Sequence, residues 1–191
     1  MKRLFALAAI LAFPTGGALA ADPSVIGDWL VKDGYANIRI DNCGGKMWGI
    51  VAWEKIPGND DENPDPAKRS RPTLGMPILI GMVQKEPNKW SCEIYNSQNG
   101  KMYTAHISLA EENTLDLEGC LFFFCQTQKW TRVKTPPPGA PPLPPIKSTA
   151  VTPAKQTAAK KGAAPPAAQS DTCLRVADEA AALEKANAAK K

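Results

Sequence analysis

The sequence predicts an all-β fold, an antiparallel up-and-down barrel of about eight strands. The first observation is a hairpin pattern at residues 90–109 (WSCEIYNSQNGKMYTAHISL), where apolar and polar residues alternate on both sides of an Asn99-Gly100 turn. The second is the regular spacing of other short strand-like segments, joined by short turns. The third is that residues 27–133 contain no long helical pattern. A closed barrel would also leave no sheet edge exposed.

The strand-like segments follow one another in order along the chain. Gly27-Asp28-Trp29 opens the domain, and residues 35–41 alternate before a turn at residues 42–45. Residues 46–53 (KMWGIVAW) are apolar on both faces, which is typical of a strand in a closed or covered sheet. After a loop rich in proline and charge at residues 57–72, the remaining segments cover residues 73–83, 90–109, 114–120 and 126–133. We expect them to enclose one core.

Residues 1–20 have the pattern of a secretory signal peptide that precedes a barrel domain at residues 21–134. Lys2 and Arg3 come before an apolar run at residues 4–13, and Ala18-Leu19-Ala20 offers small residues for cleavage. The run is too short to span a bilayer as a stable helix. We therefore expect cleavage near Ala20 and a periplasmic or secreted product without a transmembrane segment. Disulfides persist in such oxidising compartments.

The composition changes abruptly at Thr135. Residues 135–169 consist almost entirely of Pro, Ala, Lys, Thr and Gly, which predicts a disordered, extended linker. Within residues 170–191 we predict a short helix that begins at Thr172, with Ser170 or Asp171 as its cap. Its few sizeable apolar residues (Leu174, Val176, Leu183) make it marginal as an isolated helix.

The net charge of +4 is unevenly distributed. Residues 21–134 carry 13 basic and 15 acidic side chains, whereas residues 135–191 carry 8 basic and 4 acidic ones. The domain thus lacks the concentrated basic face that nucleic-acid phosphates require, and we expect no nucleic acid as its partner. The basic tail favours an anionic partner, such as an envelope polymer or a protein.

The sequence contains no set of residues that would form a known type of catalytic site. We therefore expect a protein without enzymatic activity, cofactor or metal centre. His106 is the single histidine, and it shares the polar face of its strand with Thr104 and Ser108. The acidic run at residues 59–65 offers oxygen ligands for calcium, but it lacks EF-hand spacing. Because basic residues follow at positions 68, 69 and 71, we interpret it as a salt-bridged surface loop.

Aromatic residues are the main indication of a binding cavity. The candidate lining residues are Trp48, Trp53, Tyr95, Tyr103 and the run at residues 122–124. The alternative is a barrel interior filled by its own side chains, and eight strands allow either outcome.

Four cysteines lie in the domain (Cys43, Cys92, Cys120 and Cys125), and a fifth, Cys173, lies in the tail. Four cysteines allow three complete connectivities, among which the sequence does not choose. Cys120 and Cys125 can bond only if the chain turns at residues 121–124, because a straight strand would separate them by ~16 Å. Cys92 lies on the apolar face of the hairpin, as a core thiol would. Cys173, if unpaired, would be exposed enough for an intermolecular bond.

Two elements resemble the calycin superfamily, which comprises the lipocalin and fatty-acid-binding-protein barrels. Gly27-Asp28-Trp29 matches a Gly-x-Trp on the first strand, and Arg132 matches an Arg on the last strand. The resemblance implies that Arg132 lies across the Trp29 indole in a cation–π contact that plugs one barrel end.

A more specific series of motifs spans about residues 25–133. The series is GDW (27–29), NCG (42–44), GIV (49–51), D-x-x-N-P (60–64), R-x-R-P (69–72), LG (74–75), Trp90, IYN (94–96), GK (100–101), Tyr103, GC (119–120) and WTR (130–132). It resembles the exported bacterial family called domain of unknown function 2147. That resemblance implies small periplasmic lipocalin-like barrels and no established activity. Members often carry a second cysteine where this chain has Trp48, and usually a small residue where it has Cys92, so the family's disulfides are not transferred.

These features support two functional hypotheses. The first is a non-enzymatic periplasmic barrel that binds a small apolar or amphipathic envelope molecule. The second is a structural or interaction protein of the cell envelope, tethered through its basic tail. The sequence leaves the ligand, the disulfide pairing and the oligomeric state open.

Overall fold

A computed structural model describes residues 24–121, 123–135, 137, 140, 142–143 and 170–188. The predicted signal peptide at residues 1–20 and most of the predicted linker at residues 135–169 lie outside the described residues. None of the described helices is long and apolar enough to cross a membrane.

Eight antiparallel strands form one closed barrel, which confirms the predicted fold class. The strands are β1 (Gly27–Leu30), β2 (Ala36–Cys43), β3 (Lys46–Glu54), β4 (Pro77–Glu86), β5 (Lys89–Asn96), β6 (Lys101–Glu111), β7 (Thr114–Leu121) and β8 (Phe124–Val133). Each strand pairs with the next, and β8 pairs with β1 through the Trp29–Arg132 register. Two helices follow, α1 (Asp171–Arg175) and α2 (Ala177–Ala188), and a 3-10 turn at Pro66–Lys68 lies in the β3–β4 loop.

Several strand boundaries differ from the sequence prediction, and two of these differences concern residues 121–124 and 73. The apolar run at residues 121–124 is divided between two strands, because β7 ends at Leu121 and β8 begins at Phe124. β4 begins at Pro77 rather than at residue 73. Thr73 is instead held in the loop, where its hydroxyl donates to Glu54 at 2.6 Å and its N–H donates to the Gly58 carbonyl at 3.0 Å.

Apolar side chains from all eight strands fill one end of the barrel. The main buried cluster includes Val25, Trp29, Ile38, Ile40, Leu79, Trp90, Ile107, Leu115 and Trp130. The connections β2–β3, β4–β5 and β6–β7 lie at this end, which we call the closed end. The connections β1–β2, β3–β4, β5–β6 and β7–β8 lie at the opposite end, which we call the mouth.

Arg132 covers the closed end. Its guanidinium carbon lies 4.2 Å from the centroid of the Trp29 ring. The guanidinium also donates to the carbonyls of Ser24, Ile26 and Glu112 at 2.5 to 2.9 Å. A single side chain on the last strand thereby binds the N-terminal segment, the first strand and the β6–β7 turn.

Candidate ligand-binding cavity

The mouth opens into a cavity of about 750 Å³, a volume within the range of small-molecule sites. Its apolar wall comes from inward-facing residues of six strands, namely Ile38, Val51, Ile78, Ile94, Leu117 and Trp130. Alternation places these side chains on the inner face, except that Ile78 lines the cavity next to the inward-facing Leu79, where the β3–β4 register shifts. The barrel interior is therefore filled at the closed end and open at the mouth.

Polar side chains of β8 lie beside these apolar residues, and Gln128 pairs directly with Leu117. Gln126 and Gln128 alternate with outward residues of β8 and remain exposed within the cavity lining. The Gln128 side-chain oxygen accepts a long hydrogen bond of 3.4 Å from the Trp130 indole. Beside them, a Cβ added at Gly119 would meet no atom within 4 Å, so the cavity has free space along β7. Amide groups next to apolar side chains make the lining amphipathic.

The charged side chains in the described lining are all acidic. Among the lining residues that the structure describes, the charged ones are Asp33 and Glu54, and none is Lys, Arg or His. Glu54 accepts the Thr73 hydroxyl hydrogen bond near the mouth. A buried anion needs a cationic partner or several hydrogen-bond donors to offset the loss of hydration. This lining is therefore suited to a neutral or cationic group rather than to a carboxylate or phosphate.

The four aromatic residues predicted to bind a ligand occupy different places. Tyr103 and Tyr95 both border the cavity, and the Tyr103 hydroxyl accepts a hydrogen bond of 2.9 Å from the Asn99 amide. Trp53 pairs with Asn37, which alternates with cavity-lining residues of β2 and thus lies on the outer face. Trp48 is buried on the outer face of β3 with Ile50 and Val176.

Trp48 is buried because the C-terminal helices cover it. Val176 between α1 and α2 packs against Trp48 and Ile50, with Ile80, Ala180 and Leu183 at the edge of the cluster. The Ser170 hydroxyl accepts a hydrogen bond of 3.3 Å from the Cys173 N–H and caps α1. An ion pair of 3.5 Å joins Arg71 to Glu179. The predicted terminal helix therefore exists as two short helices and docks onto the barrel.

A disulfide fixes this docking. Cys43 at the end of β2 is bonded to Cys173 in α1, across a separation of 130 residues. This pairing lies outside the three connectivities within the domain that the sequence analysis considered, and it leaves no free thiol at Cys173. β3 carried a sequence signal for the docking of the helices, because a strand that is apolar on both faces needs a cover on its outer face.

The structure also gives the state of the other three cysteines, whose pairing the sequence left open. The chain turns between β7 and β8, which brings Cys120 and Cys125 together as a directly opposed bonded pair. Glu118 lies close to these two sulfurs, but both sulfurs are committed to the disulfide. Cys92 is a free, buried thiol of the core, and burial raises the pKa of this thiol to about 12. His106 is exposed on the outer face opposite Ser91 and Glu118.

A buried polar network holds the β3–β4 loop beside the mouth. It contains an Asp60–Arg71 ion pair, as expected of a salt-bridged loop, whereas the burial of Asp60 and its bond to Tyr95 were not predicted. Asp60 is fully buried, and its carboxylate accepts hydrogen bonds from the Tyr95 hydroxyl (2.6 Å), the Asn63 amide (2.6 Å) and Arg71 (2.8 Å). Asn63 also donates to the Tyr95 hydroxyl at 3.1 Å. Burial and the bond to Asp60 raise the pKa of Tyr95 to about 12.

This network explains the spacing of three sequence motifs. Asp60 and Asn63 belong to D-x-x-N-P, Arg71 to R-x-R-P and Tyr95 to IYN. The loop also passes over Gly100, where any side chain would collide with the Glu62 carbonyl. Gly100 further has φ of +66°, which favours glycine. The Asp60 carboxylate of the acidic run is thus already bonded within the protein.

Comparisons with known proteins agree with this architecture. A family model described as an uncharacterized protein conserved in bacteria (DUF2147) matches residues 27–132, which is more than half of the chain. The fold and the motifs define a lipocalin-like barrel. The chain belongs to the DUF2147 family, as the motif series predicted.

One similar solved structure is protein HP1028 from the human pathogen Helicobacter pylori, described as belonging to the lipocalin family. The two chains are 16% identical, with a TM-score of 0.54, and the match covers 58% of this chain and 83% of HP1028. At this identity the likeness concerns the fold. None of the curated proteins matches the chain.

Proposed function

We propose that the protein is a non-enzymatic carrier or receptor that binds a neutral, amphipathic small molecule in the barrel cavity. The observation that supports this most directly is the amphipathic lining, in which the Gln126 and Gln128 amides lie beside apolar side chains. A lipid-like molecule with one apolar chain and an uncharged polar group matches this mixed lining. The lipocalin-like fold is consistent with small-molecule binding.

The charge of the lining defines the ligand class more narrowly. Asp33 and Glu54 would repel an anionic head group, and the described lining offers no cation to balance it. We therefore expect alcohols, esters or amides at the polar end of the ligand, rather than free carboxylates or phosphates. The two disulfides fit export to an oxidising compartment, so we place this activity in the periplasm or outside the cell.

Native mass spectrometry with two matched probes tests this proposal. 1-Monooleoylglycerol and oleate share one acyl chain and differ in the charge of the head group. We expect a one-to-one complex with monooleoylglycerol and binding of oleate at least about tenfold weaker, since burying an unpaired carboxylate is costly. Equal binding of both probes, or binding of neither, would contradict the proposal.

Gly119→Phe supplies the blocking variant for the same experiment. The added ring would enter the free space beside β7, so we expect monooleoylglycerol binding to be lost while the barrel stays folded. Gly58→Phe is the matched control, because a Cβ there also meets no atom within 4 Å and Gly58 is not part of the cavity lining. Retained binding in Gly119→Phe would mean that the probe binds elsewhere.

The second hypothesis, an envelope protein tethered through its basic tail, is less well supported by the geometry. Leu143 packs on the barrel, and Cys173 is bonded to it. The C-terminal helices are therefore held on the barrel rather than extended away from it, as a tether would be. We give the cavity precedence for this reason.

A further inference from the structure

We propose that the mouth of the barrel docks onto the surface of a lipid bilayer. Among the described residues, the four most exposed large apolar side chains are Tyr35 (58%), Ile56 (77%), Phe123 (96%) and Phe124 (82%). All four lie at the mouth, on or beside the β1–β2, β3–β4 and β7–β8 connections, and we call them the mouth rim. The other exposed large apolar residues reach only 39 to 45% exposure.

Such a concentration of exposed apolar groups indicates an interaction surface. For two adjacent phenylalanine side chains at the tip of a hairpin, transfer from water to an apolar phase is favourable in free energy. Aromatic side chains are also the residues that anchor proteins at the interface between lipid and water. Beside them, the Lys55 ammonium lies 5.8 Å from the centroid of the Tyr35 ring. An aromatic ring next to a lysine is a combination of side chains that favours the depth of the lipid head groups in a bilayer.

The charge at the mouth favours a bilayer over a charged macromolecule. The four connections at the mouth (residues 31–35, 55–76, 97–100 and 122–123) carry five basic and five acidic residues. The charges of these connections therefore balance, and they give the mouth no net charge that would attract a charged polymer. Binding that rests on apolar side chains should depend little on salt.

The mouth rim is continuous with the cavity, which argues for a lipid surface in particular. Tyr35, Ile56 and Phe124 belong both to the exposed rim and to the cavity lining. With the rim in the bilayer, an amphiphile could move between the bilayer and the cavity without its apolar chain crossing water. This transfer role rests on the proposed function, whereas docking itself does not.

Co-flotation of the mature protein with phosphatidylcholine–phosphatidylethanolamine vesicles tests the proposal. These zwitterionic vesicles avoid a purely electrostatic attraction of the basic tail. We expect binding that is nearly unchanged between low and high salt. Phe123→Ser/Phe124→Ser should lower the partition coefficient by about a hundredfold. Val83→Ser/Leu174→Ser is the matched control, because it removes two exposed apolar side chains that lie away from the mouth and should bind as the unaltered protein does.

Three outcomes would overturn docking: no binding to the vesicles, binding that high salt abolishes, or equal binding by both double variants. Self-association through the rim would also overturn docking. It would appear in sedimentation as a dimer that the Phe substitutions dissociate and that vesicles do not dissociate. The cavity-blocked Gly119→Phe variant should dock normally. If the unaltered protein floats with vesicles but takes up no monooleoylglycerol, docking stands and the proposed function fails.

Discussion

At the residue scale, Tyr95 shows how one side chain on the outer face of a strand orders a long loop. Its hydroxyl donates to the buried Asp60 carboxylate and accepts from Asn63. Arg71 offsets the buried charge through its 2.8 Å ion pair, and its guanidinium lies 5.8 Å from the Tyr95 ring centroid. The loop that borders the mouth is thus held by a satisfied polar network, together with the buried side chains of Leu74 and Met76.

Tyr95→Phe should therefore destabilise the protein although it keeps the ring. The substitution removes the hydroxyl bonded to a buried carboxylate, and we expect the free energy of unfolding to fall by about 1.5–3 kcal/mol. Tyr103→Phe is the matched control, since that hydroxyl contacts only the exposed Asn99 amide. Urea unfolding at neutral pH measures both, and an equal effect of the two substitutions would contradict a special role of the network.

The same residue predicts a pH dependence. The folded pKa of Tyr95 is about 12, above the value near 10 of an unfolded tyrosine. The neutral phenol is favoured by the fold, so its stabilising contribution is complete below about pH 10 and is lost as the pH rises through about 12. The difference in stability between the unaltered protein and Tyr95→Phe should shrink over this window. A constant difference would show that Tyr95 titrates normally.

Cys92 provides a second test at this scale. Its thiol is buried, and its pKa of about 12 leaves almost no thiolate at neutral pH. A thiol reagent such as DTNB should therefore react with no cysteine in the native protein and with one after denaturation without reductant. Rapid reaction of the native protein would indicate that one of the disulfides is open or that Cys92 is accessible.

At the element scale, the C-terminal helices act as a cover for β3. α2 has few apolar residues, and isolated helices of this length are marginal in water, so its order depends on contacts with the barrel. Val176 and the Cys43–Cys173 bond supply those contacts. The cover in turn hides Trp48, which would otherwise be a large exposed aromatic side chain on the outer face of the barrel.

Cys43→Ser/Cys173→Ser should loosen this cover without unfolding the barrel. Closing a loop of 130 residues corresponds to about 5 kcal/mol of entropy, which is the upper limit of the expected loss. Hydrogen exchange should show residues 171–188 becoming unprotected while the strands stay protected. Cys120→Ser/Cys125→Ser, which opens only a short hairpin loop, is the control and should leave the helices protected. Protected helices in both variants would show that packing alone holds them.

At the scale of the whole molecule, the fold was predictable and part of the site was not. Alternation fixes which residues of a strand share a face, so eight strands and their order follow from local sequence. Alternation does not say what covers the outer face. For this reason β3 alone did not show that Trp48 lies beneath a helix that follows more than a hundred residues later. The partners of Asp60 come from the loop itself and from β5, and no local pattern relates Asp60 to Tyr95.

Closure of the barrel depends on the contact between its first and last strands, and Arg132 is the residue that tests it. β1 is only four residues long, so its ladders to β2 and β8 are short. The Arg132 guanidinium adds three hydrogen bonds to carbonyls at the closed end and the 4.2 Å cation–π contact with Trp29. Arg132→Met keeps an extended apolar stem but removes the charge and all donors. We expect a loss of about 3–5 kcal/mol in the free energy of unfolding, because hydrogen bonds and a cation–π contact are lost together.

Lys129→Met on the same strand is the control for this last substitution. Lys129 forms an exposed ion pair of 2.9 Å with Asp116, and such pairs contribute between about 0 and 1 kcal/mol. Urea unfolding followed by tryptophan fluorescence should therefore separate the two variants clearly. Hydrogen exchange should further show that Arg132→Met deprotects β1 first, because that strand has the fewest other contacts to hold it. If β1 stays protected and the two variants unfold alike, the short ladders alone close the barrel and the Arg132–Trp29 contact is incidental to its stability.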